Sequence, residues 1–218
     1  ARTFGIMRLR ILLILICSVS LSLFAQKASD LPDPYEGYDE VLFMDMDLDQ
    51  NIETPKLQDG ERKPIAKHMK RMANELAHAK YVVDLDRDGE VVVVTIPTDD
   101  LFLPNDTLLA PQAEGKLKPL LKYLSDPGLF KVVYSIHTDD TGSPDYLFDL
   151  SQQRVNSVYD WMLDFVDEEQ VIIPYSMGDI DPVETNATRV GRRANRRMEF
   201  YFIPGPEMIL KARKGKLQ

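Results

Sequence analysis

The stretch HTDDTGSPDYLFDLSQQR, residues 137–154, packs one His, four Asp and one Arg into eighteen positions. Three chemistries use such residues. His137, Asp139 and Ser151 are the types of a nucleophilic triad. However, Ser151 falls at the expected start of a helix, where a hydroxyl serves as an N-cap, and no Gly-x-Ser-x-Gly elbow surrounds it. A metal site fits no better, because His68, His78 and His137 lack zinc-ligand spacing. The third chemistry is a ligand grip. Asp139 follows a strand, Arg154 is expected in the first turn of the next helix, and loops at strand ends and helix starts share one rim of an α/β sheet. A carboxylate and a guanidinium facing one pocket suit a zwitterion, the first taking an ammonium and the second a carboxylate. A structural Asp–Arg salt bridge and two solvated charges are the alternatives that the residue types leave open.

Strands and helices alternate around this stretch. Val91–Ile96, Lys131–His137, Val171–Tyr175 and Met198–Ile203 read as strands, rich in β-branched and aromatic residues. Ala113–Leu124, Leu150–Phe165 and Thr188–Asn195 read as helices, the second with Val155, Val158, Met162 and Phe165 on its buried side. The fold class is α/β, with helices packed on a mixed four-stranded sheet. Upstream, Ile65, Met69, Met72 and Leu76 recur at helical spacing from Pro64 to about Ala79. YVVDLDRDGEVVVVTI then reads as a hairpin turning at Asp86–Gly89. Asp84–Gly89 also matches half of a calcium loop, but the twelfth position, where a bidentate Glu belongs, is Thr95.

The ends have a different composition. Arg8-Leu9-Arg10, the apolar run Ile11–Phe24 and Ala25 make a secretory signal, with residues 1–6 set outside the fold. That run is shorter than the roughly 20 residues of a spanning helix. A retained anchor and a lipidated Cys17 are the alternatives, although Ile16 stands where a lipoprotein signal has a small residue. Cys17 is the chain's one cysteine, which excludes an internal disulfide. Residues 26–62 read as an acidic linker, with eleven acidic residues between Asp30 and Glu61; within it VLFMDMDLDQ alternates as a short edge strand would. Residues 63–90 carry the first helix and the hairpin, residues 91–205 the main domain, and 206–218 a basic, solvated tail. A net charge of -9 argues against nucleic acid as a partner.

His137-Thr138-Asp139, Thr141-Gly142 and Leu150-Ser151-Gln152-Gln153-Arg154 resemble the HTD…TG…LSxxR core of OmpA-like peptidoglycan-binding domains. Gly178, Pro182, Asn186, Thr188, Gly191-Arg192 and Asn195-Arg196-Arg197-Met198-Glu199 follow that family's second motif. The resemblance covers about 110 residues, from Val91 to Pro204. It implies a domain that holds the peptide stem of peptidoglycan without turnover or cofactor. Carried over by motif, Asp139 and Arg154 clamp the zwitterionic end of meso-diaminopimelate, with the helix N-terminus adding positive potential. Thr138 and Leu150 line the pocket, and Asn195 and Arg196 lie near it or dock the last helix. The implied setting is the periplasm of a double-membraned bacterium, with the wall tethered to the outer membrane or to an envelope complex. The alternative is an adaptor whose Ile65–Leu76 helix and acidic segment dock a partner protein. Leu147 stands where many members have Asn, Tyr175-Ser176-Met177-Gly178 lacks the first Gly of a Gly-x-Gly, and Val155 replaces the common Ala.

Overall fold

The computed structural model describes residues 35–37 and 40–217. The secretory-signal reading and the start of the acidic segment lie outside them.

The segment expected to be an extended acidic linker carries two short helices and the start of a third, with non-helical residues between them. Helices α1 (Glu40–Asp45) and α2 (Leu48–Ile52) replace the expected edge strand. The Asp47 carboxylate accepts from Gln50 N, and Gln50 returns a bond to Asp47 N, a reciprocal cap that starts α2. Helix α3 (Asp59–His78) begins five residues before Pro64, because the Glu61 side chain accepts from Gln58 N and closes its first turn. Strand β1 (Val82–Asp86) turns through Arg87, Asp88 and Gly89, all at positive φ, into β2 (Val91–Pro97). This is the hairpin read from the sequence, and the half calcium loop is its turn. Helix α4 (Glu114–Leu121), β3 (Phe130–His137), α5 (Pro144–Leu163), β4 (Ile172–Gly178), α6 (Arg189–Asn195), β5 (Arg197–Pro204) and α7 (Pro206–Arg213) complete the order.

The strands form one mixed sheet in the order β1-β2-β5-β3-β4. β3 and β4 are parallel, joined by α5, and the other neighbouring pairs are antiparallel. Four strands make the expected sheet, and β1 of the hairpin extends it to a fifth.

Both faces of the sheet are covered. Tyr134 lies opposite Phe200 in register and stacks on it. Its hydroxyl donates to the Val155 carbonyl, which fixes this face under α5. Phe130 packs edge-on to Phe202 and near His68 of α3. The other face carries Lys131, Ser135 and Tyr175, and there the α1–α2 segment docks. The Lys131 ammonium lies 4.9 Å from the Phe43 ring. Tyr175 donates to the Met46 carbonyl at 2.7 Å and accepts from the buried Asn51 amide. This double cover explains why all eight residues of β3 are buried. Under it Lys131 loses hydration, and its pKa falls to about 8.

The tail expected to be basic and solvated is a docked helix. Met208 and Ile209 of α7 are fully buried, and α7 packs against α3. Its cations are paired, Lys211 with Asp126 and Arg213 with the buried Glu61. Gly205 caps this helix where a Cβ would stand 2.3 Å from the Gly128 carbonyl oxygen, so no larger residue fits. The apolar stripe Ile65, Met69, Met72 and Leu76 of α3 is buried within this same unit, so it offers no docking face to a partner. Among the described residues, no helix is long and apolar enough to cross a membrane.

Candidate functional site

Helix α5 begins at Pro144, with Ser143 as its N-cap, not at Leu150. Proline at the first helical position loses nothing, because its missing N–H would have no partner there. This moves Arg154 from the expected first turn into the helix interior, so the helix N-terminus does not lie behind its guanidinium. Ser151 also moves inside. Its hydroxyl donates to the Phe148 carbonyl and accepts from Gly178 N at 3.0 Å, tying α5 to β4. His137 Nε2 is bonded to Ser135 Oγ instead, so the triad has no geometric basis. Phe165, expected on the buried side, lies past the end of α5 and is exposed, leaning on Trp161.

Strand β3 delivers Thr138 and Asp139 to its C-terminal end, where Thr138 N donates to the Gly178 carbonyl at 2.7 Å. Thr141 N donates to Asp139 Oδ1 at 2.9 Å and holds the carboxylate in place. Opposite, residues 98–109 fold on themselves. Phe102 N bonds back to the Thr98 carbonyl, Phe102 bridges to Leu109, and Asp106 Oδ1 accepts from Thr107 N and Leu108 N. That loop presents carbonyls to Arg154. Nε donates to Asp106 O at 2.9 Å, Nη2 reaches Leu103 O at 3.5 Å, and the guanidinium lies over the Phe102 ring at 4.9 Å.

Between these walls lies a cavity of about 560 Å³. Five of the residues singled out from the sequence line it: Thr138, Asp139, Leu150, Arg154 and Arg196. Asn195 does not. It is fully buried behind the wall, its amide bonded to both backbone groups of Glu184 and to Asn186 Oδ1, which pins the loop ahead of α6. Asp139 and Arg154 share the cavity without touching each other. The partner of Asp139 is Arg196, whose Nη1 donates to Oδ2 at 2.7 Å, while its Nε and Nη2 grip both oxygens of Asp99.

The electrostatics follow. Burial pushes the Asp139 carboxyl up, but bonds from Thr141 and Arg196 outweigh it and hold the pKa below the ordinary value. Asp99, and after it Asp139, hold Arg196 above the usual guanidinium range against the opposing effect of burial. Arg154 is shifted the other way, because burial disfavours its charge more than the surrounding acids support it. The Thr138 hydroxyl is buried and has no hydrogen-bond partner among the described residues. Leu147, in place of an Asn, is buried against the cavity and brings no polar group to it. Among the described residues, no group of three or more His, Cys, Asp or Glu is arranged to hold a metal ion.

Residues 101–196, which span the cavity from the Phe102 loop to Arg196, match the OmpA family model. The chain carries an OmpA-like domain. Solved structures agree on the fold. A MotB-like protein from Desulfovibrio vulgaris superposes with a TM-score of 0.57 at 22% identity, covering 66% of this chain and 95% of that one. A structure from Pseudomonas aeruginosa described as the cell wall anchor of the T6SS gives 0.51 at 24% identity, covering 64% and 96%. The Escherichia coli K12 protein named probable lipoprotein YiaD is 27% identical over 122 residues, 56% of this chain and 56% of its own length. The chain therefore spans about half of that relative.

Around the OmpA-like cavity, sequence reading missed Asp99, Phe102, Tyr146 and Arg192. Arg192 and Arg196 are one helical turn apart, a signal present in the motif. Asp99 needed the strand order: β2 pairs with β5 so that Pro97 faces Arg197, which puts Asp99 beside Arg196.

Proposed function

We propose that the OmpA-like domain binds peptidoglycan non-covalently through the diaminopimelate of the stem peptide. It thereby anchors the cell wall to the outer membrane or to an envelope complex, in the periplasm of a double-membraned bacterium. One observation carries the reading. Arg154 is buried on the cavity wall, on the same cavity as Asp139, and among the described residues it is bonded only to backbone carbonyls and has no carboxylate in salt-bridge contact. A buried cation without a counter-ion is costly, and a ligand carboxylate relieves that cost. Asp139 keeps lone pairs for an ammonium, since Thr141 and Arg196 each take one acceptor site of a carboxylate that offers about four. The free end of diaminopimelate carries this pair of charges on one carbon. The Thr138 hydroxyl adds an unsatisfied polar group at the wall. Binding occurs without bond making or breaking.

Isothermal titration of the chain with meso-diaminopimelate or a muropeptide tests this. A shielded charge-assisted contact is worth roughly 1.5–3 kcal/mol, so Asp139→Ala and Arg154→Ala are each expected to weaken binding about 10- to 100-fold. Wild-type heats in either variant would remove that residue from the clamp.

A further inference from the structure

The cavity holds more cation than a zwitterion requires. Three guanidiniums, of Arg154, Arg192 and Arg196, line it with two carboxylates, of Asp99 and Asp139. Arg196 takes both carboxylates. Among the described residues, Arg154 and Arg192 are left without a carboxylate in salt-bridge contact. Arg192 is half-buried on α6, one turn before Arg196. Its Nη1 donates to the Asn186 carbonyl at 2.7 Å, and its other side-chain N–H groups have no acceptor among the described residues. A guanidinium presents five N–H donors in a fixed fork, so Arg192 retains an edge able to take a carboxylate through two bonds. An amino-acid end with one ammonium and one carboxylate would satisfy Asp139 and Arg154 and leave Arg192 uncompensated.

We propose that the cavity takes a peptide carrying two carboxylates beside its ammonium, with the second carboxylate on Arg192. The inference rests on the wall-binding reading above and narrows it to stem peptides whose second carboxylate is free, not amidated. A stem tripeptide offers two such groups: the α-carboxylate of its γ-linked glutamate and the chain-terminal carboxylate of diaminopimelate. Arg192 selects by charge, because a carboxamide is neutral and cannot accept the fork through two oxygens. Arg192 is thus a specificity-determining residue.

The test uses the full chain and three probes: L-alanyl-γ-D-glutamyl-meso-diaminopimelate and its two forms singly amidated at those carboxylates. In wild type, one of the amidated peptides is expected to bind about tenfold more weakly than the parent. In Arg192→Gln that difference disappears, and the parent binds about tenfold more weakly than it does to wild type. Arg192→Lys, which keeps the charge, retains part of the discrimination. Equal amidation penalties in wild type and Arg192→Gln, or no penalty in wild type, overturn the assignment. Asp139→Ala and Arg154→Ala separate the two levels. If they abolish binding of the parent while Arg192→Gln changes nothing, only the second-carboxylate site fails. If they bind normally, the wall-binding reading and this inference fall together.

Discussion

Asp139 is bonded to Arg196, at 2.7 Å, and not to Arg154. The two charges that the motif sets fifteen positions apart are therefore not consumed by each other. Arg196 is shared with Asp99, which grips it through two bonds, so Asp139 is held ionised without being fully neutralised. Arg154, across the cavity, is held by the Asp106 and Leu103 carbonyls and has no carboxylate in salt-bridge contact among the described residues.

This division of labour predicts the pH behaviour of binding. The bond from Arg196 is one cause of the lowered Asp139 pKa, and in Arg196→Gln the carboxyl titrates nearer to or above its ordinary 3.8. Asp139 must be ionised to take an ammonium. Titrations with diaminopimelate between about pH 6 and pH 3 are expected to show Arg196→Gln losing affinity at higher pH than wild type. Parallel acid limbs in the two proteins would show that Arg196 does not poise Asp139.

A second prediction concerns acid stability. On β5, Glu199 is hydrogen-bonded to Arg197 and Tyr201 and lies near His137. Burial pushes its carboxyl up, but these partners pull it down to about 2 from 4.5. A depressed carboxyl stabilises the fold above its unfolded pKa, and the contribution is lost as pH falls through the folded one. The loss should run from about pH 4.5 to pH 2 and amount to at most about 3 kcal/mol. Urea unfolding across this window should show a flatter acid dependence in Glu199→Gln, whose pH 7 stability is already reduced because the buried Arg197 keeps Asp181 but loses the nearer of its two carboxylate partners. The same acid slope in both proteins would contradict the assignment.

The C-terminal helix gives a third. Ile209 is fully buried, so Ile209→Ala should cost about 2–5 kcal/mol. The exposed Lys214→Ala, five residues on, should stay within about 0.5 kcal/mol. Chemical denaturation of both variants checks this, and a near-zero cost for Ile209→Ala would mean that α7 is not docked in solution.

Several readings that depended on periodicity survived into the structure, although the alternation of VLFMDMDLDQ gave helices and Phe165 is exposed. The stripe of α3, the hairpin at Asp86–Gly89 and the strands ending at His137 and Ile203 rest on spacing and turn chemistry, which act over a few residues. The readings that failed weighed a local signal against an unseen partner. Charge suggested that residues 26–62 were a linker and 206–218 a solvated tail. Yet Phe43, Asn51 and Ile209 are buried because the sheet and α3 had surface to cover, and sequence does not display that demand. Ser151 looked like a cap, but Ser143-Pro144 is the better start, and Ser151 is taken by Gly178 from β4.

The sequence alone determined the α/β class, the identity of the paired motif residues and the order in which they arrive, because side-chain periodicity and turn residues are properties of neighbours in the chain. Only the tertiary structure decided who pairs with whom. Antiparallel pairing of β2 with β5 carries Asp99 to Arg196, and the fold of residues 98–109 supplies backbone carbonyls in place of a carboxylate for Arg154. Coulomb and hydrogen-bond energies depend on distance in space, and Asp99 and Arg196, the two best-paired charges at the cavity, are ninety-seven residues apart along the chain.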